Sequence, residues 1–256
     1  MIRSPFLLFV LPILCCVSNI AAAAPNQCRS EGIVLQVLGS GGPIADDARA
    51  STAYIVWRDG ESRLMVDVGG GAFLRFGEAG ARFDDLDFIG LSHFHTDHSA
   101  DLPALLKSGF FSKRTRPLPI AGPGGAGPFP GLQGFLAAML DPERGAYAYL
   151  SGYLDGSGGL ARLERIEVPI ASNGPIALMA ASNERFAVDA LPVPHGPVPA
   201  LAFRLRLGEA TLVFASDQNG SNPAFVDFAR DADSGGEAIA RRSKLTRGGS
   251  RQRNPT

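Results

Sequence analysis

What this chain has little of already narrows it. It has three cysteines in 256 residues. Cys15 and Cys16 lie in an apolar N-terminal run and leave Cys28 alone if that run is removed. A single thiol makes no internal disulfide, so Cys28 is read as a spectator. Charge of one sign is also scarce. A formal net charge of −1 gives no positive excess for a nucleic-acid backbone to select, so no nucleic-acid partner is favoured. Long apolar runs are missing too: Phe6-Leu7-Leu8-Phe9-Val10 and residues 13–17 are interrupted by Pro12 and followed by Asn19, too short and broken for a comfortable membrane span. Histidine is the last scarcity and the most informative. The chain has four, and three of them fall together at His93, His95 and His98.

Hydrophobic residues make up 45% of the composition, which fits a soluble globular protein, and the length suits one sizeable domain. Arg3, the apolar run and Ala21-Ala22-Ala23-Ala24-Pro25 read as a secretory signal peptide over 1–23, cut after Ala22 or Ala23. The mature chain is expected to be exported, periplasmic in a bacterium, with no stable membrane anchor after cleavage. A domain is expected over 31–233. Residues 234–256 set Arg241, Arg242, Lys244, Arg247, Arg251 and Arg253 against Glu237 alone, and read as a disordered basic tail.

An apolar strand over 86–91 runs into Ser92-His93-Phe94-His95-Thr96-Asp97-His98. On an extended segment alternate residues share a side, so His93 and His95 face one way with Asp97 next in the series. His98 turns to a second point once the strand has ended. Imidazoles and carboxylates are good ligands for a borderline metal such as zinc, and the spacing suits two metals held close together. The end of a strand is also where open α/β sheets place their sites.

Further strands are expected at Ile33-Val34-Leu35-Gln36-Val37-Leu38, at 52–57 and 63–68 around an Arg58-Asp59-Gly60-Glu61 turn, and at 118–123. Helices are expected over 72–79 and from Ala100 to Lys107, with Asp101 near the start and Pro103 in the first turn. The loop Ser40-Gly41-Gly42-Pro43 lacks the lysine of a phosphate-binding P-loop and reads as a structural turn. Residues 123–183 are the least legible; 135–140 and 147–154 have helical character. Phe110, Phe111, Tyr147, Tyr149 and Tyr153 either wall a pocket or simply pack. Lys113, Arg114 and Arg116 either receive an anionic substrate or form a solvated charge run. A strand from Phe186 delivers His195, and a hairpin over 201–215 then delivers Ser216-Asp217.

The run His93-x-His95-x-Asp97-His98 resembles the signature of the metallo-β-lactamase-fold hydrolases, and the wider likeness extends from about Ile33 to Asp217. That resemblance implies an α/β fold, a four-layer αβ/βα sandwich of two mixed sheets with outer helices. It also implies two Zn2+ ions. His93, His95 and His195 would hold the first, Asp97 and His98 the second, and Asp217 would bridge them. Asp97 would also aim the attacking hydroxide as the catalytic carboxylate. Asp67, in an Asp-x-Gly turn, would support the site, and Ser92 and Ser216 would orient ligands. Relatives add another histidine to the second zinc, but none follows His195 here. The fold is therefore expected to be incomplete at a truncated or frame-shifted C-terminus, with the second metal weakened.

The block around His195 and Asp217 is similar to ribonuclease Z, arylsulfatases and class II cyclic-nucleotide phosphodiesterases. The lactamases of this fold lack a bridging aspartate. The expected function is zinc-dependent hydrolysis of a small anionic phosphoric or sulfuric ester. The alternatives are a degenerate, non-catalytic or single-zinc binding protein, and a ribonuclease Z-like phosphodiesterase, which would carry a long tRNA-clamping arm between His195 and Asp217. Homo-oligomerisation stays open.

Overall fold

A computed structural model describes residues 31–236. The expected signal peptide, Cys28 and residues 237–256 lie outside the described residues. Within them the chain runs β1 (Ile33–Gly39), β2 (Ala53–Arg58), β3 (Glu61–Val66), α1 (Ala72–Glu78), β4 (Phe88–Gly90), α2 (Thr96–Ser99), α3 (Leu102–Phe110), β5 (Leu118–Pro123), α4 (Leu132–Leu140), α5 (Gly152–Asp155), β6 (Leu163–Val168), β7 (Ile176–Ala177), β8 (Ala187–His195), β9 (Val198–Leu207), β10 (Ala210–Phe214), α6 (Ala224–Phe228) and β11 (Ser234–Gly236).

The strands form two mixed sheets, ordered β1-β2-β3-β4-β5-β6 and β11-β10-β9-β8-β7. In the first, β1 to β3 pair antiparallel and β3 to β6 parallel. Tyr54, Val56, Leu64, Val66 and Phe88 face Val188, Leu201, Phe203 and Leu205 across the sandwich. Ile55, Met65 and Ile89 turn the other way, onto Phe76, Leu102, Leu105, Leu136 and Tyr153 of the helical layer. On the outer face of the second sheet, Leu191, Val193 and Ala202 pack on Phe228 of α6. The result is the four-layer sandwich. It explains why β2 reads as an unbroken apolar run: both faces are covered, and the period-2 signal vanishes. The sheets approach closely at β4, where the Phe88 and Phe203 rings meet edge-on at 6.0 Å. A Cβ on Gly90 would stand 3.1 Å from the Phe203 ring.

Two expectations need correction. Of Lys113, Arg114 and Arg116, only Lys113 is a simply exposed charge, and the two arginines neither receive a substrate nor stand free in solvent. Arg114 is 6% exposed. Its guanidinium donates to the carbonyls of Leu86, Asp84, Pro117 and Arg116. Arg116 donates to the Leu86 carbonyl and the Asp87 carboxylate. Both arginines thus clamp the chain where it enters β4, at the opposite end of that strand from the histidines. The boundary expected at Asp233 also falls early, because Ser234–Gly236 pairs in parallel with β10. Backbone pairing needs no apolar side chains, so composition did not reveal it. Among the aromatics, Tyr153 is buried and donates to the Leu106 carbonyl. Phe110, Phe111 and Tyr149 gather around the Lys107 ammonium instead.

Replacing Arg114 by methionine removes donors from several inward carbonyls and should cost about 2–3 kcal/mol of unfolding free energy, read by denaturant titration. A change under about 0.5 kcal/mol would show that the clamp contributes little.

Candidate metal centre

The motif is shaped by what lies under it. Asp67 ends the segment after β3 with φ 58°, a left-handed conformation uncommon for a non-glycine residue. This turn carries its carboxylate beneath the motif. There it accepts from the Ser92 backbone N–H at 2.7 Å, the Ser92 hydroxyl at 2.8 Å and His98 Nδ1 at 2.8 Å. The backbone passes just as close: a Cβ on Gly69 would lie 2.1 Å from the Asp97 carbonyl. A glycine is therefore obligatory there. Val68 donates to the His98 carbonyl, and Asp101 donates to that of Val68, so the turn and the motif are stitched on both strands.

Two groups of three ligands result. His93, His95 and His195 present ring nitrogens all within 4.8 Å of one another, and a second group within the same distance joins ring nitrogens of His93 and His98 to a carboxylate oxygen of Asp217. His95 Nδ1 lies 3.1 Å from His93 Nε2 and 3.4 Å from His195 Nε2. His98 Nε2 stands 3.4 Å from Asp217 Oδ1 and 3.7 Å from Asp97 Oδ2. The cluster is buried at His93 and His98 and opens outward at His95. His195 ends β8 and the Ser216-Asp217 turn follows β10, so the second sheet supplies the remaining ligands to a motif carried by the first. The Leu201 N–H to Ser92 carbonyl bond, 2.9 Å, joins the sheets at that point. Ser216 itself takes φ 60°, which turns Asp217 toward His98.

The protonation pattern suits a cation. Burial pushes His93 well below the usual imidazole range, aided by the neighbouring charge of His98, so its ring is neutral at neutral pH and one nitrogen offers a lone pair. Burial opposes charge on His98 too, but bonds to Asp217 and Asp67 outweigh it and raise its pKa to about 10. That same bond from His98 holds Asp217 far down, as a carboxylate. In His98 the Asp67 carboxylate takes Nδ1–H and leaves Nε2 aimed into the cluster, the arrangement that orients metal-binding imidazoles. Ring nitrogens converging at such short range beside an anionic carboxylate fit a metal ion, whose positive charge would take the place of the His98 Nε2 proton.

The Metallo-beta-lactamase superfamily model matches residues 46–247. The chain belongs to the metallo-beta-lactamase superfamily. It is also similar to ribonucleases Z: 32% identical over 189 residues to that of Mycobacterium sp. strain KMS, covering 72% of this chain and 61% of that protein. It is 30% identical over 188 residues to that of Mycobacterium bovis BCG Pasteur 1173P2, covering 72% and 62%. The chain thus spans about three fifths of the length of these curated relatives. Among solved structures, the short form of human tRNase Z (ELAC1) superposes with TM-score 0.58 at 19% identity, covering 78% of this chain and 75% of that one. The metallo-beta-lactamase fold protein YhfI from Bacillus subtilis gives 0.56 at 22% identity, covering 80% and 69%. At such identities the likeness speaks for the fold.

Of the residues singled out for this superfamily site, His93, His95, His98, His195 and Asp217 fall into the two ligand groups. Asp97 stands beside them, nearly buried, its carboxylate facing His98 but outside both groups. Ser216 has a buried hydroxyl with no hydrogen-bond partner among the described residues. The glycine loop is more than a turn. Ser40, Gly41, Gly42 and Pro43 wall a cavity of about 200 Å³ whose floor includes Asp97, His98 and Asp217. Sequence gave no sign of this, because the loop reaches the motif only through pairing of β1 with β2. No helix follows it, so it carries no helix-end phosphate site.

Asp67→Asn keeps the shape but withdraws the anionic acceptor from His98. Metal affinity should fall about 10- to 100-fold, measured by competition with a chromogenic chelator. Unchanged affinity would show that Asp67 serves folding alone.

Proposed function

We propose that this chain is a zinc-dependent hydrolase acting on small phosphodiesters. The observation that carries the reading is the meeting of two three-ligand groups, sharing His93, at the edge of two sheets. The donor chemistry fits zinc: imidazoles in the first group, with an anionic carboxylate and an oriented imidazole in the second. His93, His95 and His195 would hold one ion, and His98 and Asp217, with Asp97 beside them, the other. Bound there, zinc supplies an activated water at neutral pH and positive charge for the leaving oxygen. The protein's own groups do the rest. Asp97 accepts a proton at its carboxylate and aims the attacking oxygen. Asp67 and Ser92 lock the rings of His98 and His93. His95, at the open side, marks where substrate enters.

The choice of a phosphodiester is supported by relatives that are ribonucleases Z. Small size is supported by the β9–β10 connection: only Gly208-Glu209 joins these strands, so no arm projects between His195 and Asp217. The reading includes export, supported by the basic and then apolar start of the chain, which would separate it from cytoplasmic RNA.

Purified protein should carry zinc and hydrolyse bis(p-nitrophenyl) phosphate faster than p-nitrophenyl sulfate. His95→Ala should lower kcat/KM by at least about 100-fold, with zinc per chain falling in parallel. Preferred turnover of the sulfate would move the assignment to sulfuric esters. One zinc or none, with neither ester turned over, would leave a degenerate, non-catalytic protein of the same fold.

A further inference from the structure

A second and larger cavity adjoins the histidines on the other side of His195. It has a volume of about 550 Å³, in the range of small-molecule sites. One wall is the β8–β9 hairpin around its His195-Gly196-Pro197-Val198 turn. The others are the segment at Ile170 and the loop from Ser221 to Pro223. His195 belongs both to this cavity and to the first ligand group, so the cavity adjoins the metal centre.

Its chemistry is unlike that of the centre. Apart from His195, no lining residue is ionisable. Five prolines border it, Pro192, Pro194, Pro197, Pro199 and Pro223, each fixing its own backbone φ, so the walls are formed in advance. Two bonds secure them further: Asn219 N–H to the Pro194 carbonyl at 3.0 Å, and Asn222 Nδ2 to the Pro192 carbonyl at 2.8 Å. The polar side chains are largely spent within their own loops. Ser221 donates to Asn219, Ser172 to the Gly174 carbonyl, and the Asn222 carboxamide oxygen accepts from the Ala224 N–H. A polyanion placed here would find no lysine or arginine to meet its charge. An uncharged flat group would lose water against the rigid prolines, the valines and the other apolar residues that make up rather more than half of the lining.

We propose that this cavity is the specificity pocket for an uncharged aryl group on the ester, the part of the substrate that does not react. The proposal rests on the hydrolase reading above and adds the kind of ester: a phosphodiester of an aryl alcohol, its charged phosphorus at the ligand groups and its ring between the prolines.

The test compares bis(p-nitrophenyl) phosphate with methyl p-nitrophenyl phosphate. They share a leaving group and differ in whether the retained group is aryl or methyl. Val198→Trp fills the cavity and Val198→Asp charges it. Either change should lower the ratio of kcat/KM for the aryl ester to that for the methyl ester about 10- to 100-fold, the scale of burying one aromatic ring. Zinc per chain and Tm confirm that each variant is folded and loaded. A ratio unchanged from wild type in both folded variants overturns the proposal. If the wild type hydrolyses neither ester, the hydrolase reading fails by itself, and the pocket is judged by fluorescence titration of 1-naphthol. Saturable binding that Val198→Trp abolishes supports it; no binding, or equal binding by wild type and variant, overturns it.

Discussion

A buried carboxylate under a histidine motif is the constraint on which the rest of this structure turns. Asp67 could not be buried unpaired, since an isolated charge in a protein interior is far too costly. Its partners are Ser92 and His98, so satisfying the charge also fixes the path of the motif. The left-handed backbone at Asp67 and the missing side chain at Gly69 are what that satisfaction requires locally. Once the turn is closed, His98 Nε2 has one direction left to it, into the space where His93 and Asp217 also point.

The two sheets contribute unequally. The first carries the motif at the parallel end of β4, where the strand stops and the chain folds into α2. The second carries His195 and Asp217 at the ends of β8 and β10, which run the same way on either side of the antiparallel β9 and so end at one edge. Neither sheet holds a complete ligand group. The apolar layer between them, from Tyr54 and Phe88 to Phe203 and Phe214, is therefore also what assembles the centre. A second polar fixture lies away from the site. Asp189 on β8 receives Arg204 and Arg206 from β9, and Arg204 also reaches the Phe228 carbonyl and ring, tying α6 to the sheet. Arg114 is another buried charge, and it holds backbone in place at the start of β4.

Much of the frame could be read along the chain. Strands β1, β2, β3, β5, β8, β9 and β10 and helix α1 lie within a few residues of their expected positions, because apolar runs between glycine-rich turns specify them locally. The helix expected from Ala100 is α3, which begins at Leu102, and the motif itself already coils before it as α2 from Thr96. Strand β6 was hidden: Leu163-Glu164-Arg165-Ile166-Glu167-Val168 breaks its alternation with charges at the adjacent positions 164 and 165, and it lies at a sheet edge, where only one side pairs. The segment 147–154 folds as a tight turn over Ala148–Leu150 followed by the short α5 from Gly152, rather than as one helix.

The sequence by itself determined the ligand chemistry. Imidazoles at alternating spacing with a neighbouring aspartate are a local pattern, and local patterns survive without a fold. It also marked His195 and Asp217, each at the end of an apolar strand. Tertiary structure alone decided which of these groups meet and what surrounds them. It put Asp67 beneath the motif and Asp97 at its side, turned an apparent basic surface at Arg114 into an inner clamp, and set a proline-walled cavity against His195. Those outcomes depend on contacts between residues distant along the chain, and such contacts exist only once two sheets have packed and excluded water between them.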